Sequence, residues 1–365
     1  MIIDQIFQAG TSIWLDDLSR AKLSGEDPHS LPQRIKYDGI VGVTTNPSIF
    51  NSAISQGTEY ATSIAALRGK SVEEVVRRLT TDDVRSACDL FTPTFERSGG
   101  VDGRVSIEVD PRLARDTART VEQGKELWAI VDRPNVLIKV PATIEGLDAI
   151  RELTAEGVSV NVTLIFSVAR YLQVFEAFMK GLEARIADGK EISHITSVAS
   201  FFLSRIDTSV DSLLKVIPSP ARTSLLGRAA IANAALAYEA FEEVRNSARW
   251  RNLEDAGAKV QRPLWASTGV KDPTYEDTRY VMNLIAKDTV NTMPQNTLDA
   301  VIDHGVLTGT PISSRYQDSH EVFDALEGLG ISMAKVTADL ESDGVQKFEA
   351  AWMELLVNVE KSLNG

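Results

Sequence analysis

Along the chain, short apolar runs alternate with longer stretches in which apolar residues recur every three or four positions. "SIWLDD" (12–17) and "GIVGVTTNP" (39–47) are the first two runs, each bounded by polar or Gly/Pro punctuation, and both predict strands. In "SVEEVVRRLTTDDVRSACDLF", Val72, Val75, Val76 and Leu79 stand at helical spacing, and Ser71 followed by Glu74 fits a capping box. "RVSIEVD" (104–110) predicts a strand, and the stretch after it a helix with Pro111 in its first turn. "NVLIKV" is the next strand. "EGLDAIRELTAEG" is a helix with Leu147, Ile150 and Leu153 on one face and Gly157 closing it. "VSVNVTLIF" predicts a strand before a helix carrying Leu172, Phe175, Leu182 and Ile186. "ITSVASFFL" leads into a long helical region, roughly 207–255. "RPLWAST" (262–268) and "TVNTMP" (289–294) complete the strands, and the chain reads as helical from Thr297 onward.

Strict alternation of strand and helix implies a parallel sheet covered on both faces. A count of eight points to an α/β fold closed as a (β/α)8 TIM barrel with additional helices. The doubly wound alternative is weakened because no Gly-rich nucleotide fingerprint follows the first strand. At 365 residues, such a barrel still counts as one domain. We expect a single elaborated barrel over 1–365, with a C-terminal helical extension over about 306–365. No stretch rich in Pro, Gly or Ser divides it.

Composition narrows the partners. The net charge of -13 argues against nucleic acid or an anionic membrane, which attract basic surfaces. One cysteine, Cys88, excludes an internal disulfide framework and a thiolate metal cluster, and favours a reducing, cytoplasmic setting. The opening residues have no basic segment or apolar core of a signal peptide, and no apolar run reaches membrane-spanning length. His29, His194, His304 and His320 are scattered without helical pairing, so no metal is expected. Monomer and homodimer both stay open.

Within "PNVLIKVPAT", Lys139 interrupts an apolar run that reads as a buried strand, where lysine is rare. In a barrel of this kind, chemistry sits at the carboxyl ends of the strands. Standing there are Asp16 and Asp17, Thr45 and Asn46, Glu108 and Asp110, Lys139, Asn161 and Thr163, Ser200, and Ser267. Each has an ordinary use alone: a strand-end lysine pairs with a carboxylate, paired aspartates cap a helix, and Asn46 before Pro47 makes a turn. Their shared edge is what points to chemistry. An amine surrounded by carboxylates suits carbonyl chemistry through a Schiff base, with the acids moving protons. A free lysine is only about 0.04% neutral at pH 7, so the apolar strand is expected to favour the uncharged amine.

"GVTTNPSIF", "VSIEVDPRLARDT", "VLIKVPAT", "VNVTLIFS" and "LWASTGVKDP" together resemble the transaldolase family, within the transaldolase and fructose-6-phosphate aldolase superfamily. The matching stretches run from about residue 11 to 305. The resemblance implies a (β/α)8 barrel and cofactor-free transfer of a dihydroxyacetone unit between sugar phosphates. The usual pair is sedoheptulose 7-phosphate and glyceraldehyde 3-phosphate, giving erythrose 4-phosphate and fructose 6-phosphate in the pentose phosphate pathway. It further implies Lys139 as the Schiff-base lysine and Asp16 as the acid/base. Glu108 with Thr163 would hold a catalytic water; Asn46 and Asn161 would bind substrate hydroxyls. Ser200 and Arg205 match the residues after the sixth strand, the arginine near the phosphate. Many relatives carry an arginine after the seventh-strand "AS". Here "WASTGVKDP" leaves Lys271, or Ser267 with Thr268, to take that place. Two alternatives stand beside transfer: a fructose-6-phosphate aldolase releasing free dihydroxyacetone, and a non-catalytic sugar-phosphate-binding barrel.

Overall fold

Eight strands close into a parallel barrel in sequence order in the computed structural model, which describes residues 1–25 and 27–364. They are β1 (Thr11–Leu15), β2 (Gly42–Val43), β3 (Arg104–Glu108), β4 (Val136–Pro141), β5 (Val160–Ile165), β6 (Ser197–Phe202), β7 (Arg262–Ala266) and β8 (Thr289–Met293). β1 pairs with both β2 and β8, which closes the ring. Every strand is buried along its whole length, as expected where side chains fill the barrel on one face and helices cover the other. Each of the eight predicted strands is present. β2 is the shortest, and its Gly42 lies against the Trp14 ring, where a Cβ would stand 2.6 Å from the indole. Its neighbours still extend the ladder: Val41 N–H donates to Ile13 O and Thr44 N–H to Leu15 O, each at 2.9 Å.

Helix starts follow the local sequence. Ser71 accepts from Glu74 N–H at the head of Val72–Arg97, Thr143 from Gly146 N–H before Ile144–Ala155, and Asn46 from Ile49 N–H before Pro47–Gln56. The stretch predicted as one long helical region over 207–255 is broken into Ser204–Val216, Ala229–Arg245 and Ala248–Asp255. Pro218 and Pro220 lack the N–H that a continuing helix needs. No helix among the described residues is long and apolar enough to cross a membrane.

Beyond β8, the chain forms Gln295–His304, Tyr316–Gly328 and a terminal helix, Met333–Asn364. Gly365, the last residue of the expected extension, lies outside the described residues. The terminal helix buries Val345, Phe348, Leu355, Leu356 and Val359. It packs on Pro47–Gln56, Val72–Arg97 and Ser204–Val216, which lie beyond the carboxyl ends of β2 and β6 and before β3. It therefore lies over the end of the barrel where the strand-end polar residues gather.

At the opposite end, Arg262 donates to Asp102 at 3.0 Å and to Ser12 at 2.9 Å. Arg104 donates to the Pro134 carbonyl at 3.0 Å, beside the hydroxyl of Thr196. This polar layer is a plug, tying loops together at the end that serves stability in such barrels.

Candidate active site

Lys139 is 5% exposed and sits level with Glu108 on β3 and Asn161 on β5. Its Nζ donates to the Thr45 carbonyl at 2.8 Å and stands 3.4 Å from Glu108 Oε2. The Phe348 ring of the terminal helix lies 5.8 Å away. The amine's neighbours are thus a carbonyl, a carboxylate and an aromatic face, rather than the wholly apolar wall that "NVLIKVPA" suggests. Beside it opens a cavity of about 100 Å³, lined also by Asp16, Asn46, Thr163, Ser200 and Arg205.

The carboxylates differ in their fixing. Asp16 accepts from the Thr44 hydroxyl at 2.6 Å, and that hydroxyl is 2.7 Å from Thr292 Oγ1. Burial raises the Asp16 carboxyl above its usual range, opposed by the Lys139 cation and the Thr44 bond. Asp17, its neighbour, points elsewhere and pairs with Lys22, so the two aspartates are told apart. Glu108 has no hydrogen-bond partner on either carboxylate oxygen among the described residues. Burial pushes it up to about 7, against the pull of Lys139. A carboxyl poised there can both take and give a proton near neutral pH. Asp110, two residues on, is held by Arg112 and caps the turn Pro111–Leu113.

The motif "TTNP" places four functions in four residues. Thr44 holds Asp16; Thr45 donates its hydroxyl to Ser106 O at 2.7 Å while its carbonyl receives Lys139. Asn46 caps the next helix and lines the cavity, and Pro47 opens that helix without an N–H to satisfy. "KVPAT" is similarly used. Gly146, three residues after its capping Thr143, is required because a Cβ would fall 2.0 Å from the Pro141 carbonyl.

Asn161 is completely buried, donating to Ser106 Oγ at 3.0 Å and accepting from Ser200 Oγ at 2.7 Å. It therefore sets Ser200, which lines the cavity, rather than facing the cavity itself. Thr163 lines the cavity with a buried hydroxyl that has no partner among the described residues. The next residue, Leu164, has φ 60°, and the β5–β6 register shifts here. Ser267 at the end of β7 has φ 55°. A left-handed conformation for such residues stores roughly 1–3 kcal/mol, and both lie where the cavity wall must be aimed.

Arg205, at the first turn of Ser204–Val216, stacks 5.4 Å from the Phe202 ring centroid. Its Nη1 is buried without a partner among the described residues, and burial holds the guanidinium below its usual range. Ser267 Oγ lies 2.9 Å from Ser204 Oγ, and Thr268 spends its hydroxyl on Thr292 O. Lys271 is not with them. It is exposed and borders a separate depression with Lys215 and Asp272, away from the residues that line the Lys139 cavity. The loop after β7 carries it past the mouth.

Sequence reasoning missed Thr44, Phe202 and Phe348. Thr44 opens the quoted "TTNP" motif and could have been found by its strand-end position. Phe348 lies on a distant amphipathic helix, and nothing local distinguishes it from a core residue.

The family description Transaldolase/Fructose-6-phosphate aldolase matches residues 13–359. The chain belongs to this family. Curated relatives named "Transaldolase" cover nearly all of it. That of Mycobacterium ulcerans (strain Agy99) is 54% identical over 360 residues, 98% of this chain and 96% of its own. That of Mycolicibacterium smegmatis is 55% identical over 359 residues, 98% of this chain and 96% of its own. That of Thermobifida fusca is 53% identical over 363 residues, 99% of this chain and 98% of its own.

Proposed function

We propose that this protein is a transaldolase, moving a dihydroxyacetone unit from sedoheptulose 7-phosphate to glyceraldehyde 3-phosphate through a Schiff base on Lys139. The observation that carries this reading is the buried Lys139 amine beside Glu108, opening on a cavity that also holds Asp16 and Arg205. Lys139 attacks the ketone carbon, and Glu108 takes the proton and returns it as hydroxide leaves the carbinolamine. Asp16 removes the proton of the C4 hydroxyl, the C3–C4 bond breaks, and a lysine-bound enamine remains. Asn46, Thr163 and Ser200 position that fragment until the acceptor aldose arrives. Arg205 holds the phosphate with a guanidinium whose Nη1 has no other partner among the described residues, at the positive end of a helix. The chemistry belongs to the pentose phosphate pathway, in the cytoplasm.

Acceptor dependence tests this. With donor and glyceraldehyde 3-phosphate, erythrose 4-phosphate is expected to accumulate over many turnovers. Without acceptor, one turnover is expected and then arrest. Steady acceptor-independent release of dihydroxyacetone would instead mark an aldolase.

Arg205→Ala is expected to raise KM for the donor about 10- to 100-fold, the worth of one or two charge-assisted hydrogen bonds. Lys271→Ala should leave KM within about twofold, because that side chain lies outside the cavity. The comparison of the two KM values checks which cation anchors phosphate.

Glu108 makes a pH prediction. Its folded value of about 7 lies above the free value of 4.5. Only the ionised carboxylate can take the amine's proton, so kcat/KM should fall on the acid side of about pH 7, close to tenfold per unit. The limb belongs to the Glu108–Lys139 pair as a unit. Glu108→Gln should remove it and slow turnover about a hundredfold; a pH–rate series on both proteins checks this.

A further inference from the structure

Away from Lys139, a depression of about 410 Å³ opens between the head of Ala229–Arg245, the loop after β7 and Tyr316–Gly328, a size that suits a small ligand. Among the described residues, none that lines it also lines the Lys139 cavity. Arg228, Arg279 and Arg315 all border it, in a chain whose net charge is -13. The acids around them are largely engaged elsewhere. Asp207 accepts from Ala230 N–H with one oxygen and from the Tyr280 hydroxyl with the other, each at 2.7 Å, and stands 4.0 Å from Arg279. Asp211 accepts from Gly227 N–H at 2.9 Å and from the Tyr275 hydroxyl at 2.7 Å. Among the described lining residues, Asp318 pairs with Arg228, and Glu276 pairs with none of the three arginines. The guanidiniums, with five N–H donors each, keep donors to offer. Arg279, its side chain 13% exposed, stacks 4.3 Å from the Tyr275 ring centroid and donates to the Gly227 carbonyl. Arg315 donates to Asn283 Oδ1 at 2.7 Å, while its Nε is buried with no partner among the described residues.

We propose that this depression is a second phosphate-binding site, taking inorganic phosphate or a phosphomonoester, separate from the seat at Arg205. Three like charges around one space repel each other, and a phosphate dianion between them replaces that repulsion with attraction. Arginine suits the task because its planar fork offers two parallel donors to phosphate oxygens. The frame is already set. Gly227 has φ 68°, and a Cβ there would stand 2.6 Å from the Tyr275 ring, the ring on which Arg279 stacks. Asp207 and Asp211 hold both sides of that contact through the backbone N–H groups and tyrosine hydroxyls already named. The site needs no covalent step, and it stands whether or not Lys139 forms a Schiff base.

The test is calorimetric titration of the whole protein with inorganic phosphate and with glucitol 6-phosphate, an alditol that has no carbonyl to react with Lys139. The Arg205→Ala protein, its inner seat removed, is expected to bind one phosphate per chain. Arg315→Gln and Arg228→Gln, each added to Arg205→Ala, should weaken that binding about 10- to 100-fold, the usual contribution of a charge-assisted hydrogen bond. Made alone, the same two substitutions should leave kcat and the ketose KM within about twofold, because neither side chain lines the Lys139 cavity. Tighter binding of glucitol 6-phosphate than of inorganic phosphate supports the site with a sugar phosphate as its occupant; equal or weaker binding supports it with inorganic phosphate. An Arg205→Ala protein with no saturable phosphate site overturns the proposal, as does a site whose affinity neither substitution changes. A ketose KM that rises as far as phosphate binding falls also overturns it, since these arginines would then serve the substrate. Should Arg315→Gln fail to fold, Arg228→Gln, on a side chain 41% exposed, decides alone. Two sites left in the Arg205→Ala protein would count against Arg205 as the inner anchor, and the site that Arg315→Gln weakens would still support the proposal.

Discussion

Lys139→Ala is expected to reduce turnover to the rate without protein, while leaving binding of a ketose phosphate within about threefold of wild type. The separation follows from the layout. The proposed phosphate seat at Arg205 and the proposed hydroxyl contacts at Asn46 and Ser200 line the cavity and do not depend on the amine. The covalent step depends on it entirely, because no other lysine among the described residues lines the cavity. The alanine also leaves Glu108 without its cation, so the carboxyl should be neutral at pH 7 and the fold should survive the loss. Calorimetric binding and a coupled assay on the same preparation check the split. Residual multiple turnover would mean that the chemistry does not pass through this nitrogen.

Asp16→Asn should lower kcat by roughly 10²- to 10⁴-fold, the usual share of a general base, with KM barely changed. Asparagine keeps the shape and still accepts the Thr44 hydroxyl, so the cavity should remain as it is. What disappears is the capacity to take the C4 proton. Imine formation, which belongs to Lys139 and Glu108, should continue. Borohydride should then trap the whole donor sugar phosphate on the protein in place of a three-carbon remnant. Mass spectrometry distinguishes the two adducts directly. A three-carbon adduct formed at the wild-type rate would show that the proton leaves by another route.

These roles were legible in the sequence to differing degrees. The eight strands could be read because parallel barrel strands are buried on both faces and interrupt helical periodicity in the same way each time. Lys139 stood out for the same reason, as a cation inside an apolar run. Asp16 and Asp17 could not be separated by pattern, since only the Thr44–Thr292 hydroxyl chain shows which one faces inward. Asn161 stands at the strand-end position read from the sequence, and its amide bonds Ser106 and Ser200, contacts the sequence does not show. The bulge at Leu164 and the turn at Ser267 depend on what the wall must fit, and leucine and serine carry no local signal for a positive φ. Lys271 could not be placed, because sequence distance from a strand end does not say where a loop carries its side chain. The terminal helix was visible as helix, but its station over the mouth arises from packing some 200 residues away from Lys139 in the chain.

The most direct measurement is borohydride reduction of the wild-type protein with a ketose phosphate and no acceptor, followed by peptide mapping. The account predicts one reduced three-carbon group per chain, on the peptide bearing Lys139, and none when the ketose is withheld. A sugar fragment attached to any other lysine, or a protein that stays unmodified while it turns substrate over, would contradict it.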